Sequence, residues 1–178
     1  RASSGITLQG LNQISNLAAS SFGSCISVEA AAASGLTIDT VGTTNGVSAY
    51  SGVQIKQYTA GGIVVNKNVS SSMAGAVSLG VASGAGGITL ADTAAVMLSG
   101  SIGGVVLYTS GGAITQTNAL TVSGPLTMTT NSTSGGITLA NALNDFTGTV
   151  TIDAGGAGAV SLVDSNALTL GAIPVSGP

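Results

Sequence analysis

Apolar and polar residues alternate along this chain in short triplets, and the triplets fall into three columns of matching spacing. The first column reads Ile6-Thr7-Leu8, Leu36-Thr37-Ile38, Ile63-Val64-Val65, Ile88-Thr89-Leu90, Ala113-Ile114-Thr115, Ile137-Thr138-Leu139 and Val160-Ser161-Leu162, in steps of 30, 27, 25, 25, 24 and 23 residues. The second reads Asn12-Gln13-Ile14, Val47-Ser48-Ala49, Ser71-Ser72-Met73, Val96-Met97-Leu98, Leu120-Thr121-Val122, Asn144-Asp145-Phe146 and Leu168-Thr169-Leu170. The third reads Ile26-Ser27-Val28, Val53-Gln54-Ile55, Val77-Ser78-Leu79, Val105-Val106-Leu107, Leu126-Thr127-Met128, Val150-Thr151-Ile152 and Ile173-Pro174-Val175. Side chains alternate faces along a strand, so each triplet turns its outer two residues to one side and its middle residue to the other. Strands this short are not stable alone, and periods of 20 to 50 residues mark units that bury their apolar faces by stacking.

The pattern predicts an all-β fold: a right-handed parallel β-helix with three sheets and about seven turns of roughly 24–25 residues. Gly-Gly, Ser-Gly and Asn-Gly pairs between triplets supply the corners. At about 4.8 Å per strand, seven turns make a rod segment roughly 34 Å long. Ala113-Ile114-Thr115 breaks the in–out parity unless the register slips by one. Ser71-Ser72-Met73 and Asn144-Asp145-Phe146 are placed by spacing alone.

One domain, 1–178, fits the unbroken repeat, with longer, looser turns at 1–60 and regular turns at 61–178. The surplus residues fall mainly at 15–24 and 39–46, where any protruding loop is expected. LNQISNLAASSF reads alternatively as a short amphipathic cap helix, because Leu11, Ile14, Leu17 and Ala18 match helical spacing.

Composition narrows the function. Charged residues make up 5% of the chain, against about 25% in ordinary globular domains. The net charge is −3 and the only cations are Arg1, Lys56 and Lys67, so no phosphate-binding surface and no nucleic-acid partner is expected. No apolar run is long enough to span a membrane as a helix. The chain opens at Arg1 without Met, which predicts a processed or excised piece of something longer. Cys25 has no partner for an internal disulfide and reads as a small apolar residue beside the third column.

With no His and one Cys, Ser-His-Asp and Cys-His catalysis and His/Cys zinc sites are excluded by inventory. The acidic set is Glu29, Asp39, Asp92, Asp145, Asp153 and Asp164. Asp92, Asp145, Asp153 and Asp164 follow strands or occupy corners without a nearby Lys or Arg, so they read as solvated turn carboxylates rather than a sugar-cleaving pair. No enzymatic activity and no cofactor is expected. Asp153 and Asp164 flank one coil and are weak calcium candidates, but GGAGAVSLVD delays its Asp relative to the calcium-binding GGxGxDxUx repeat. The outward Thr residues are shared over three faces and interrupted by Val64, Met97, Val106 and Asp145, unlike a flat ice-binding array. Tyr50, Tyr58 and Tyr108 each follow a strand, where they serve core-edge packing or contact carbohydrate.

Residues 135–177, GGITLANALNDFTGTVTIDAGGAGAVSLVDSNALTLGAIPVSG, resemble the β-helical repeats of bacterial filamentous-haemagglutinin-like exoproteins and autotransporter passengers. The string GGITLA also occurs at 86–91. The resemblance implies secretion to a bacterial cell surface, a long rod, and roles in adhesion, aggregation or biofilm. None of the 178 residues reads as that family's N-terminal secretion domain or as a C-terminal effector or barrel, so an internal segment of something longer is expected. The expectation is therefore an extracellular structural or adhesive β-solenoid, a surface stalk or filament subunit. Its partners would be copies of itself stacked end to end, flanking parts of a longer chain, or surface glycans. The alternative is a carbohydrate-binding module or a polysaccharide-active β-helix. Clustering of the three tyrosines on one face favours the alternative, and scattered corners favour the stalk.

Overall fold

The computed structural model describes residues 4–73, 75–82, 86–90, 96–100, 104–131, 136–155 and 158–173. Among these the chain is all β, winding through three parallel sheets as a solenoid of six full turns and two strands of a seventh. The first turn holds β1 (Ile6–Asn12), β2 (Asn16–Leu17) and β3 (Ala19–Ser20). The second holds β4 (Ile26–Ala30), β5 (Leu36–Ile38), an antiparallel hairpin of β6 (Thr40–Val41) and β7 (Thr44–Asn45), and β8 (Val47–Ala49). Then come β9 (Val53–Gln57), β10 (Ile63–Val65) and β11 (Val69–Ser71), followed by β12 (Val77–Val81), β13 (Ile88–Leu90) and β14 (Val96–Gly100). The fifth and sixth turns are β15 (Val105–Thr109), β16 (Ile114–Gln116), β17 (Leu120–Ser123), β18 (Leu126–Thr130), β19 (Ile137–Leu139) and β20 (Asp145–Phe146). The seventh begins with β21 (Val150–Ala154) and β22 (Val160–Leu162).

The column-three sheet runs β1-β4-β9-β12-β15-β18-β21, the column-one sheet β2-β5-β10-β13-β16-β19-β22, and the column-two sheet β3-β8-β11-β14-β17-β20. Each strand stacks like on like. Ile26, Val53, Val77, Val105, Leu126 and Val150 form one buried file, and Leu36, Ile63, Ile88, Ile114 and Ile137 another. Stacking in register lets each side chain lie against a similar shape above and below, which favours close packing of the interior. Small outward hydroxyls also pair between rungs, as Ser70 Oγ does to Ser48 Oγ (3.2 Å) and Thr115 Oγ1 to Thr89 Oγ1 (3.4 Å).

The corner entering the column-one sheet explains the repeated GGITLA string. There the backbones of successive rungs approach so closely that side chains do not fit. A Cβ on Gly86 would lie 2.6 Å from the Gly61 carbonyl oxygen, and one on Gly136 2.8 Å from that of Ala159. Gly62 and Gly87 are as tightly confined, against the carbonyl oxygens of Gly87 and Ala113.

Several positions differ from the spacing-based columns. Ile6-Thr7-Leu8 belongs to the column-three sheet, with Ile6 paired to Ile26. The first turn is compressed, β2 and β3 being separated by a single residue, so counting back by a constant period assigns it to the wrong sheet. Asn12-Gln13-Ile14 ends β1 and turns the corner rather than forming a column-two strand. The segment 11–22 is not a cap helix: it contains the end of β1, then β2 and β3. Residues 15–24 therefore stay in the rungs, whereas 39–46 contain the hairpin.

Ala113-Ile114-Thr115 slips by one residue, so that Ile114 sits on Ile88. In place of Ser71-Ser72-Met73 the strand is β11, two residues earlier, because Val69 is the residue that can bury on Val47, and Met73 is left exposed. Leu168-Thr169-Leu170 forms no column-two strand; Leu170 bridges Val150 of the column-three sheet. Ile173 is exposed and outside any strand, and Pro174 and Val175, called as part of the last strand, lie outside the described residues, as do Asp92 and Pro178.

The core also holds polar residues, and Asn144 ties three successive rungs together. Its Nδ2 donates to the Leu139 and Val163 carbonyls, both at 3.0 Å, and its Oδ1 accepts from the Leu120 amide at 3.0 Å. Gln116, inward where its neighbour Leu90 is apolar, completes a reciprocal amide pair with Asn144 at 2.7 and 2.9 Å. A fully buried amide with every group bonded is costly to truncate, since its partners are left dry and unpaired.

Two predictions follow from these contacts. Gly87→Ala should lower the unfolding free energy by more than about 2 kcal/mol, since the clash is with backbone and cannot relax by a rotamer change. Asn144→Ala should lower it by about 3 kcal/mol, the combined effect of several orphaned buried groups. Urea melts with unchanged m-values measure both.

Candidate functional site

From β4 onward the strands of the column-three sheet are five residues long, whereas those of the column-one sheet have at most three. Five residues with the ends inward leave two outward positions per rung, so this is the widest face of the solenoid. One outward file is Ser27, Gln54, Ser78, Val106, Thr127 and Thr151; the other is Glu29, Lys56, Gly80, Tyr108, Thr129 and Asp153. Tyr58 follows β9, its amide donating to the Ala30 carbonyl at 2.8 Å.

On this face the rung of β12 carries only small outward residues, Ser78 and Gly80, with Ala82 just beyond. The rungs on either side carry Lys56 and Tyr58, and Val106 and Tyr108. The seven residues enclose a trough of about 390 Å³, within the usual range for small-ligand sites. The two tyrosines line the trough from opposite sides, and their hydroxyls bond to the rungs beyond it. Tyr58 donates its hydroxyl to Glu29 Oε1 at 3.4 Å, one rung below, and the Tyr108 hydroxyl accepts from Asn131 Nδ2 at 3.2 Å, one rung above. Glu29 is itself fixed, its Oε2 accepting from the Gly10 amide at 2.9 Å. At the other end of the β12 rung, Ser78 also lines a shallower hollow with Cys25, Gly52, Gln54 and Ala76. The floor between them is continuous.

The tyrosines singled out in the sequence are thus divided. Tyr58 and Tyr108 share the trough, while Tyr50 lies exposed at the corner after β8, its amide bonded to Ser24 and its carbonyl to Met73. Cys25 is exposed at the corner before β4. The calcium candidates sit on different sheets. Asp153 projects from β21 of the column-three sheet, whereas Asp164 follows β22 and its Oδ1 accepts from the Phe146 amide of β20 at 3.2 Å. Asp164 therefore holds the rung before it. Among the described residues no three His, Cys, Asp or Glu side chains gather as metal ligands. Asp145 and Asp39 likewise accept from Asn166 Nδ2 (2.9 Å) and Asn66 Nδ2 (3.0 Å).

Lys56 and Gly80 escaped the sequence reading as site residues. Their signal is in the text nonetheless: aligning VQIKQ, VSLGV and VVLYT on their first residues puts Lys, Gly and Tyr in one file.

Residues 84–153 match a family model described as repeats of unknown function, DUF5649. The chain is a repeat β-helical protein. No curated protein and no solved structure matches it. The matched stretch of the solenoid includes Tyr108, Asn131, Asn144 and the glycine corners at 86–87, 112 and 136, while Lys56, Tyr58 and Gly80 precede it.

Gly80 is a glycine by vacancy rather than by crowding, since a Cβ there would meet nothing nearer than Tyr108 Cδ1 at 3.8 Å. Gly80→Val should leave stability unchanged or raise it by up to about 1 kcal/mol, because strand glycine is entropically costly. The shift in urea midpoint reads it directly.

Proposed function

We propose that this protein is an extracellular structural and adhesive β-solenoid, a stalk or filament segment at a bacterial surface. The observation that carries the reading is the ladder itself. Every rung is a template for the next, and β1 and β22, at the edges of their sheets, are paired on one side only among the described residues. Proteins blunt or cover such edges, and in this reading the cover is more of the same chain or another copy. The apolar residues Leu8 and Leu11 at the β1 end, and Val160 and Leu170 at the other, are exposed on those terminal rungs, consistent with surfaces made to be stacked upon.

The resemblance of residues 135–177 to filamentous-haemagglutinin-like exoproteins supports the same reading, its surface location included. The composition suits life outside the cell: three basic residues present few sites to trypsin-like proteases, and a closely packed ladder resists local opening. The second reading, a carbohydrate-binding solenoid, is favoured by one observation, the pairing of Tyr58 and Tyr108 across a single trough.

Cryo-electron microscopy of the purified chain tests the stacking. End-to-end polymers should show an axial subunit rise of about 30 Å, six to seven strand spacings. Short monodisperse rods at high concentration would overturn self-stacking as the covering of the edges.

A further inference from the structure

The trough over Gly80 has features that go beyond a gap between tyrosines. Its floor strand β12 is hydrogen-bonded on both sides, to β9 and to β15, so no backbone edge is open to a peptide seeking to add a strand. A ligand there must bind through side chains. Those available are two aromatic rings, hydroxyl and amide groups from Ser78 and Gln54, and one ammonium, Lys56, the only charged residue lining the trough or the adjoining hollow among the described residues. The floor runs along one rung, from Ala76 through Ser78 and Gly80 to Ala82, about 20 Å at the usual rise per strand residue. This is room for several linked rings lying along the strand direction.

We propose that this face binds a linear polysaccharide bearing carboxylates, a uronic-acid glycan. One sugar ring sits over Gly80 with Tyr108 and Tyr58 on its flanks, and the Lys56 ammonium takes its carboxylate. Neighbouring sugars extend across Ser78 toward Gln54 and Ala76. The apolar face of a pyranose packs against an aromatic ring while its rim needs polar partners, and the trough supplies both. The tyrosines are already fixed by Glu29 and Asn131, so little ordering is required when the ligand arrives. Glu29, the residue facing Lys56 in register, lies one rung away on the side opposite Gly80, and its oxygens accept from the Gly10 amide at 2.9 Å and the Tyr58 hydroxyl at 3.4 Å. A glycan carboxylate approaching Lys56 from the β12 side reaches the ammonium first, with the Glu29 carboxylate one rung further away. The proposal rests on the adhesive part of the function proposed above, and because binding is measured on the dispersed chain its failure leaves the stacking test untouched.

The test is a titration of the full 178-residue chain with a hexamer of galacturonic acid, followed by amide chemical-shift changes, beside the neutral hexamer of glucose. The uronate should bind saturably, with shifts centred on 54–58, 78–82 and 106–108, and should weaken as salt is raised. Gly80→Val, which fills the trough while keeping the fold, and Tyr108→Ala should each cost tenfold or more in affinity. Lys56→Gln should weaken binding and flatten its salt dependence, and Tyr50→Ala should change nothing. Absence of saturable binding, equal binding of the neutral hexamer, or undiminished binding to Gly80→Val whose urea midpoint is intact would each overturn the proposal.

Discussion

The distance between successive rungs, about 4.8 Å, is the constraint on which the rest of this structure depends. A side chain pointing inward must lie flat on its counterpart one rung away, which selects aliphatics of similar shape. Hence Ile on Leu or Ile in the column-one sheet and Val on Val in the column-three sheet. Where the chain turns, the same spacing leaves no room for a Cβ against the next backbone, and Gly61, Gly62, Gly86, Gly87 and Gly112 share one corner. Core and corner thus answer a single geometric demand. This is why the sequence repeats at both kinds of position and hardly at all in the loops.

Polar groups enter the interior where that demand relaxes. Inside the last position of the column-three strands, Gln57, Thr109 and Thr130 are fully buried where the neighbouring rungs have Ala30, Val81 and Ala154. Gln57 Nε2 donates to the Ala32 carbonyl at 2.7 Å and the Thr109 hydroxyl to the Gly112 carbonyl at 2.6 Å. These side chains add bonds to corner carbonyls outside the strand ladder, so the corner is held by side chains as well as by backbone turns. Asn144 does the same at another corner and across three rungs. The Gln57 Oε1 atom is buried without a partner among the described residues, a local cost accepted in exchange for the bond its nitrogen makes.

The fold was legible in the sequence because stacking writes itself as periodicity. The columns around Leu36, Val53 and Ile63 onward fell on the strands observed, and the awkward triplet at 113–115 needed only its one-residue slip. Beyond the two-residue error at Ser71-Ser72-Met73, what spacing could not read was the compressed first turn, where three strands fit into 15 residues, and the end of the chain, where Leu170 joins a different sheet. In both places the apolar–polar–apolar signature is the same on all three faces, and only the lengths of the corners decide which face is meant. The trough was half legible. Tyr58 and Tyr108 stood out as rare aromatics, but nothing local separates them from Tyr50; the pairing requires the register, and so does the role of Gly80.

Face width is the feature that links architecture to ligand chemistry here. A three-residue strand presents a single outward side chain, so the column-one face offers one file, from Thr37 to Ser161, with nothing beside each residue along its own strand. A five-residue strand presents two, and side chains there are about 7 Å apart along the strand as well as one rung apart across it. On such a surface a small residue in one rung, flanked by large ones on both sides, makes a walled depression with room along the strand as well. The sequence meets that condition where VSLGV lies between VQIKQ with its following Tyr58 and VVLYT. A solenoid of uniform rungs would be smooth on every face. The exchange of one large outward side chain for Gly80 makes a site without disturbing the ladder beneath it, since the hydrogen bonds of β12 are those of any other rung.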